Sequence, residues 1–301
     1  TCALPIYGVN AVLSVSQQGS ETGPTTIIYT VTLSNQNDTG AAITFDLTDA
    51  LSGSATSGVD YTAFGGVASV SVADGASSGT LVVTVADDAV VEGTETVDAS
   101  LANASNADVT ITGAAASANI TDNDSAILTV SDVSASEADG TLTFNVTVDK
   151  AVAGGFTVDY NFTDIEAALG VDFTDAGTGT LTFVGNAGET QTVTVNLTND
   201  GFFEADETFR LNLTNASSAL VDDTDVAIGT ITNDDGVNAV LSVSQQGSET
   251  GPTTIIYTVT LSNQNDTGAA ITFDLTDALS GSATSGVDYT AFGGVASVSV
   301  A

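Results

Sequence analysis

The chain has 301 residues, and its 38 acidic side chains against two basic ones, Lys150 and Arg210, give a formal net charge of −36. That balance excludes nucleic acid and anionic membrane as electrostatic partners, since both need a basic patch, and it favours cations. There is no histidine and a single cysteine, Cys2, so Ser–His and Cys–His nucleophile systems and an intrachain disulfide are excluded.

Apolar residues make up 42% of the chain and fall in strict alternation, the period of a half-buried strand. Folded β-structure is therefore expected in place of disorder. No apolar run approaches the length of a transmembrane helix, so no direct membrane insertion is expected. The opening TCALPIY is unlike a translation start. It resembles the translated end of a sequencing adapter; whether or not it is one, the chain reads as an internal fragment of something longer, and residues 1–10 are set apart as a leader.

From residue 11 the strands follow in order. Ile27, Tyr29, Val31 and Leu33 share one face, as do Leu81, Val83 and Val85. Asp60-Tyr61 lies between them, and is read as fixing a turn and filling the core. Next comes DDAVVEGTE, with Asp87 and Asp88, an apolar gap, then Glu92 and Glu95. The segment Thr121-Asp122-Asn123-Asp124 closes this first unit. In the second, Leu142, Phe144, Val146 and Val148 alternate, and Asp172-Phe173 repeats Asp60-Tyr61 after 112 residues. NDGFFEADE then carries Asn199, Asp200, Glu204 and Glu207. Phe209, Leu211 and Leu213 follow, with Arg210 on the outward face, where pairing with a neighbouring acid is expected. Thr232-Asn233-Asp234-Asp235 ends the unit.

Residues 236–301 repeat residues 8–73 without a difference, the mark of a recent duplication or of an assembly error at a repeated locus. The expected organisation is thus one unit over 11–125, a second over 126–235, and the first half of a third over 236–301. Each complete unit reads as about seven strands split by Gly, Asp and Asn turns, an Ig-like β-sandwich. With no helical periodicity to supply crossovers, an all-β fold of antiparallel sheets is expected. The short junctions leave little linker, so the units should form a rod. The third unit stops before its acidic loop and closing strands, and its context should continue beyond the fragment.

The acidic loops demand compensation. Two like charges about 4 Å apart repel by roughly 4 kcal/mol near a protein surface. The first unit holds 14 acidic residues and no basic one, so no salt bridge inside it can neutralise the loop. Acidic loops are commonly only solvated, or a salt adaptation. Here the concentration of carboxylates without counter-charge points to a bound divalent cation, calcium (Ca2+).

The order of these segments resembles the Calx-beta repeat: a Glu near the first strand, Gly-Ser-Ala-Thr-Ser-Gly-Val-Asp-Tyr over 53–61, Asp-Asp-x-x-x-Glu-x-x-Glu-Thr from Asp87, and a closing Asp-x-Asp at 122–124. The resemblance covers residues 11–301. It implies tandem Ig-like sandwiches, some of which bind calcium at one end through loop carboxylates. In the first unit the resemblance places ligands at Glu21, Asp87, Asp88, Glu92, Glu95, Asp122 and Asp124, with a carbonyl from Val90. One family aspartate has no clean match there, and Asp49 would serve only with a loop insertion. In the second unit it places them at Glu137, Asp164, Asp200, Glu204, Glu207, Asp234 and Asp235, with a carbonyl from Phe202. Asn199 and Asn233 put amides where carboxylates are expected, which predicts weaker or fewer ions.

The expected function is a calcium-binding structural repeat in an extracellular or cell-surface stalk of an adhesin or matrix protein, its partners being calcium ions and the neighbouring repeat domains of the same chain. The alternatives are a calcium sensor acting on a partner domain and an ion-independent acidic spacer. An enzyme is not expected, because paired carboxylates at the tip of a small sandwich without a Trp platform or cleft look like ion ligands. The adhesion target is not legible in the sequence.

Overall fold

Alternation of apolar and polar residues becomes alternation of buried and exposed ones along every long strand of residues 9–232. The computed structural model describes residues 8–23, 25–174, 177–291 and 295–301. Most of the leader, Cys2 included, lies outside them. Ile27, Tyr29, Val31 and Leu33 point inward, as do Leu142, Phe144, Val146 and Val148, and Phe209, Leu211 and Leu213.

In the first unit one sheet runs Ser78–Thr84, Thr26–Leu33, Val9–Gln17, Val109–Gly113. The facing sheet runs Gly19–Ser20, Ala115–Thr121, Glu95–Ala102, Ile43–Asp49, Val67–Val72. The first and last strands of the sandwich each cross from one sheet to the other, at Gln18 and Ala114. The second unit repeats the plan. One sheet runs Phe173–Thr174, Thr190–Leu197, Thr141–Val148, Ala126–Val130, Val221–Asp222, and the other Val133–Ser136, Val226–Thr232, Glu207–Thr214, Phe156–Asp164, Thr178–Phe183. The one helical turn among the described residues is a short 3-10 segment, Glu137–Asp139.

Purely antiparallel sheets are not what forms. First and last strands pair in parallel in both sheets of both units, as in Val9↔Val109 and Val133↔Gly229. The absence of crossover helices does not forbid this, because the connection between those two strands is the rest of the sandwich.

Two cores result. The first is built around Tyr29, Phe45 and Tyr61; the Tyr29 hydroxyl donates to the Val97 carbonyl at 2.6 Å, joining the two sheets. The second is richer in phenylalanine, with Phe173 stacked on Phe209 at 4.0 Å and Phe144 edge-on to it at 5.9 Å. Gly229 lies under these rings: a Cβ there would sit 2.6 Å from Phe209, so any larger residue would displace them.

The same sequence fares differently in its second copy. Tyr29 is 0% exposed, whereas its equivalent Tyr257 is 43% exposed. The hairpins Ala239–Gln245 with Ile256–Leu261, and Ile271–Leu275 with Ala296–Val300, do form. Residues 236–301 hold no counterparts of Ser78–Thr84 and Glu95–Ala102, the strands that flank and cover Tyr29.

Candidate metal centre

Sheet pairing brings one end of each sandwich's loops together, and the acidic stretches are on it. In the first unit the turn after Gly19–Ser20 carries Glu21, the loop before Glu95–Ala102 carries Asp87 to Glu92, and the segment after Ala115–Thr121 carries Asp122 and Asp124. Carboxylate oxygens of Glu21, Asp122 and Asp124 lie within 4.8 Å of one another, and so do those of Asp60, Glu92 and Glu95. In the second unit Glu137 is shared between two such groups, one with Asp234 and Asp235 and one with Asp200 and Glu204. A small cleft there is lined by Glu137, Asp172, Asp200, Glu204 and Glu207.

Backbone contacts hold these groups in place. The Glu92 N–H donates to Asp122 Oδ2 at 2.8 Å and the Asn123 N–H to Glu21 Oε2 at 3.4 Å. The Val90 and Phe202 N–H groups donate to Asp88 Oδ1 (2.7 Å) and Asp200 Oδ1 (2.8 Å), closing the same tight turn in both loops. Glu137 opens the 3-10 turn capped by Ser136 and is buried.

Burial with neighbouring negative charge drives the glutamates toward neutrality. Burial first, then the Asp122 carboxyl, pushes Glu21 up to about 7. Burial and Asp60 do the same to Glu95. In the second unit Glu204 rises to about 7 through burial and Asp200, and Glu207 to about 7 through burial and Asp172. Glu92 and Glu137 also rise, again mainly through burial. At this end of each sandwich, burial and neighbouring carboxylates both favour the neutral form of the glutamates.

One observation points to a missing partner directly. Asp235 Oδ2 is a buried oxygen with no hydrogen-bond partner. A carboxylate oxygen of this residue lies within 4.8 Å of oxygens of Glu137 and Asp234, and a carboxylate oxygen offers it no donor unless it carries a proton. An ion ligated by these carboxylates would supply the missing partner. The donor set is all oxygen, drawn from flexible loops, which suits a hard divalent cation.

Some expected ligands are set apart. Asp87 Oδ1 accepts from the Asn123 side chain at 3.1 Å, and Asp164 Oδ1 accepts from the Leu169 N–H at 3.2 Å; neither falls in the close acidic groups. Asn199 is exposed. Asn233 Oδ1 accepts from the N–H groups of Glu204 and Asp235, at 3.4 and 3.3 Å, so its amide organises the loop backbone. Asp49 is engaged by the Tyr61 hydroxyl at 2.6 Å.

Three participants were not anticipated. Asp60 and Asp172 do close turns, accepting from the N–H groups of Thr56 and Ala168 at 2.5 and 2.7 Å, and Tyr61 and Phe173 do fill the cores. Both aspartates also face the glutamates of the acidic loop. Their shared 112-residue spacing with Glu92 and Glu204 was the available signal. The third is Lys150 of the second unit, whose Nζ lies 2.6 Å from Asp124 Oδ1. It supplies from next door the counter-charge that the first unit lacks. Arg210 has no carboxylate within 4.0 Å among the described residues, contrary to the expected pairing: its strand neighbours on that face are Thr163 and Ile228.

The acidic loops also touch the next unit through the second residue of each apolar pair. The Val91 N–H donates to Ala151 O at 2.8 Å, and the Ala153 N–H to Val91 O at 2.9 Å. The Val91 side chain, 1% exposed, belongs to the core of the second sandwich. In the next loop the Phe203 N–H donates to Gln264 O and the Asp266 N–H to Phe203 O, both at 2.9 Å.

The chain is similar to the tandem domain CBD12 from CALX1.2, at 16% identity over 74% of this chain and 99% of that one, with a TM-score of 0.32. It is also similar to the apo-form Calx CBD1 domain, at 24% identity over 37% of this chain and 100% of that one, with a TM-score of 0.33. No curated protein sequence matches. The description that does match is the Calx-beta domain, over residues 14–125 and again over 121–235. The chain belongs to the Calx-beta domain family and carries that domain twice in tandem.

Proposed function

We propose that the acidic end of each complete unit binds calcium, and that the bound ion stiffens its junction with the following unit. The observation that carries this is the buried, unpartnered Oδ2 of Asp235, a residue whose carboxylate groups with those of Glu137 and Asp234. Glutamates held near neutrality support it, since a divalent ion replaces the protons they would otherwise keep. Glu137, Asp234 and Asp235, with Asp200 and Glu204, are the residues that would hold the ion in the second unit. Glu21, Asp122 and Asp124, with Asp60, Glu92 and Glu95, would do so in the first. Calcium is favoured over magnesium because loop carboxylates from separate strand ends suit its larger, adaptable coordination shell.

The protein is on this reading non-enzymatic, a stretch of an extracellular or cell-surface stalk in an adhesin or matrix protein. Close contact at both junctions supports the stalk. Titration calorimetry of the whole chain with calcium at pH 7.5, and with magnesium as control, tests the ion. Saturable heat with calcium that is weakened by Asp235→Asn is expected. No heat, or heat indifferent to that substitution, would overturn the proposal. Dissociation constants in the millimolar range would fit a stalk, and micromolar ones accompanied by a change of shape would fit a sensor instead.

A further inference from the structure

The two junctions of this chain use one backbone device on unrelated receiving sequences. Ala151-Val152-Ala153 takes Val91, and Gln264-Asn265-Asp266 takes Phe203, each through a carbonyl before and an N–H after the central residue. What is read is the shape of the receiving turn and its two main-chain groups, with an apolar residue as the incoming part.

Gln264-Asn265-Asp266 lies within the copied segment, and its equivalent in the first unit is Gln36-Asn37-Asp38. The turn is built alike in both places. The Asn37 side-chain amide donates to Ala41 O at 2.9 Å, and the Thr39 hydroxyl donates to Asn37 Oδ1 at 2.7 Å. In the docked copy the Asn265 amide donates to Ala269 O at 2.8 Å and the Thr267 hydroxyl to Asn265 Oδ1 at 2.8 Å. Asn37 is fully buried and also reaches Val72 O, so the turn is braced by its own unit and needs no visitor to form. Gln36 and Asp38 are exposed, and the Gln36 carbonyl and Asp38 N–H have no hydrogen-bond partner among the described residues.

We infer that the Gln36–Asp38 turn is a docking site for the acidic loop of another Calx-beta unit joined ahead of residue 8. The loops of a second, separate copy do not fit the part, because its Val91 and Phe203 are already engaged within their own chain. Docking would carry the Asp38 carboxylate toward the incoming glutamates, as Asp266 already raises the proton affinity of Glu204 across the second junction. This extends the stalk reading, but the backbone bridge needs no ion.

Because residues 8–73 equal 236–301, joining residues 1–235 to residues 8–301 recreates the 235/236 junction in front of a complete first unit. Amide hydrogen exchange by NMR, in calcium and separately in chelator, reads the inner Asp38 N–H. Its exchange is expected to slow by about tenfold or more relative to Asp38 of the natural chain, approaching the rate of Asp266. An unchanged rate in both buffers overturns the inference, whereas protection in chelator upholds it even if calcium binding fails. Phe203→Pro in the copy ahead removes the N–H that Gln36 O would accept and should restore fast exchange; persisting protection would overturn the assignment. Should the proline unfold its own unit, a long flexible Gly/Ser insertion at the same joint separates docking from folding by lowering the effective concentration of the loop. Protection that survives the insertion undiminished also counts against the proposal.

Discussion

Asp60 shows how one residue can do two things. Its Oδ2 closes a turn on the Thr56 N–H, and its charge is among the largest influences on Glu92 and Glu95. Asn at this position keeps an oxygen for Thr56 but deletes the charge. Asp60→Asn should therefore leave the fold intact and weaken calcium binding by roughly tenfold, as read by calorimetry. Lys150 should act with the opposite sign. Its amine occupies an oxygen of Asp124 that an ion at Glu21, Asp122 and Asp124 would need. Lys150→Gln should tighten calcium binding in the first unit, and a titration that shows no tightening would place Asp124 outside the ligand set.

At the scale of the element, the acidic loop is a shared part of two domains. Its polar residues face its own sandwich's tip, while Val91 completes its neighbour's core beside Val152. Val91→Ala would leave a small cavity in that core, costing roughly 2 kcal/mol. The loss should fall on the second sandwich, though the residue belongs to the first unit's loop. Hydrogen exchange along Thr141–Val148 and along Thr26–Leu33 separates the cases; acceleration confined to the first unit would show that Val91 packs only at home. Sequence patterning reached this loop only in part. In each apolar gap the family resemblance names the first residue, Val90 or Phe202, for its carbonyl, whereas Val91 and Phe203 make the contact with the next unit. Which of two neighbours points at the next domain depends on the loop's twist, and alternation does not report that.

Across the whole molecule, the raised glutamates make stability depend on pH and ion together. Glu21, Glu95, Glu204 and Glu207 move from an ordinary 4.5 to about 7 on folding. A group raised in this way contributes stability in full below the unfolded value, and that contribution is lost as pH rises through the folded value. In chelator at fixed ionic strength, the melting temperature should fall between about pH 5 and pH 8, by several degrees. Saturating calcium should remove most of that fall, because the ion substitutes for the lost protons. A chelated protein whose melting point stayed level or rose over this range would show that the glutamates are not held near neutrality.

The sequence by itself determined the strands, their inward faces, the repeat and the acidic composition of the loops. These follow from local alternation and from spacing, which survive without knowledge of neighbours. Only the tertiary structure decided that first and last strands pair in parallel, that Asp60 and Asp172 join the acidic ends, and that Lys150 crosses a domain boundary to Asp124. Each of those depends on which distant segment lies alongside. Burial and ionic contact are properties of that neighbour as much as of the residue, and a linear pattern does not contain it.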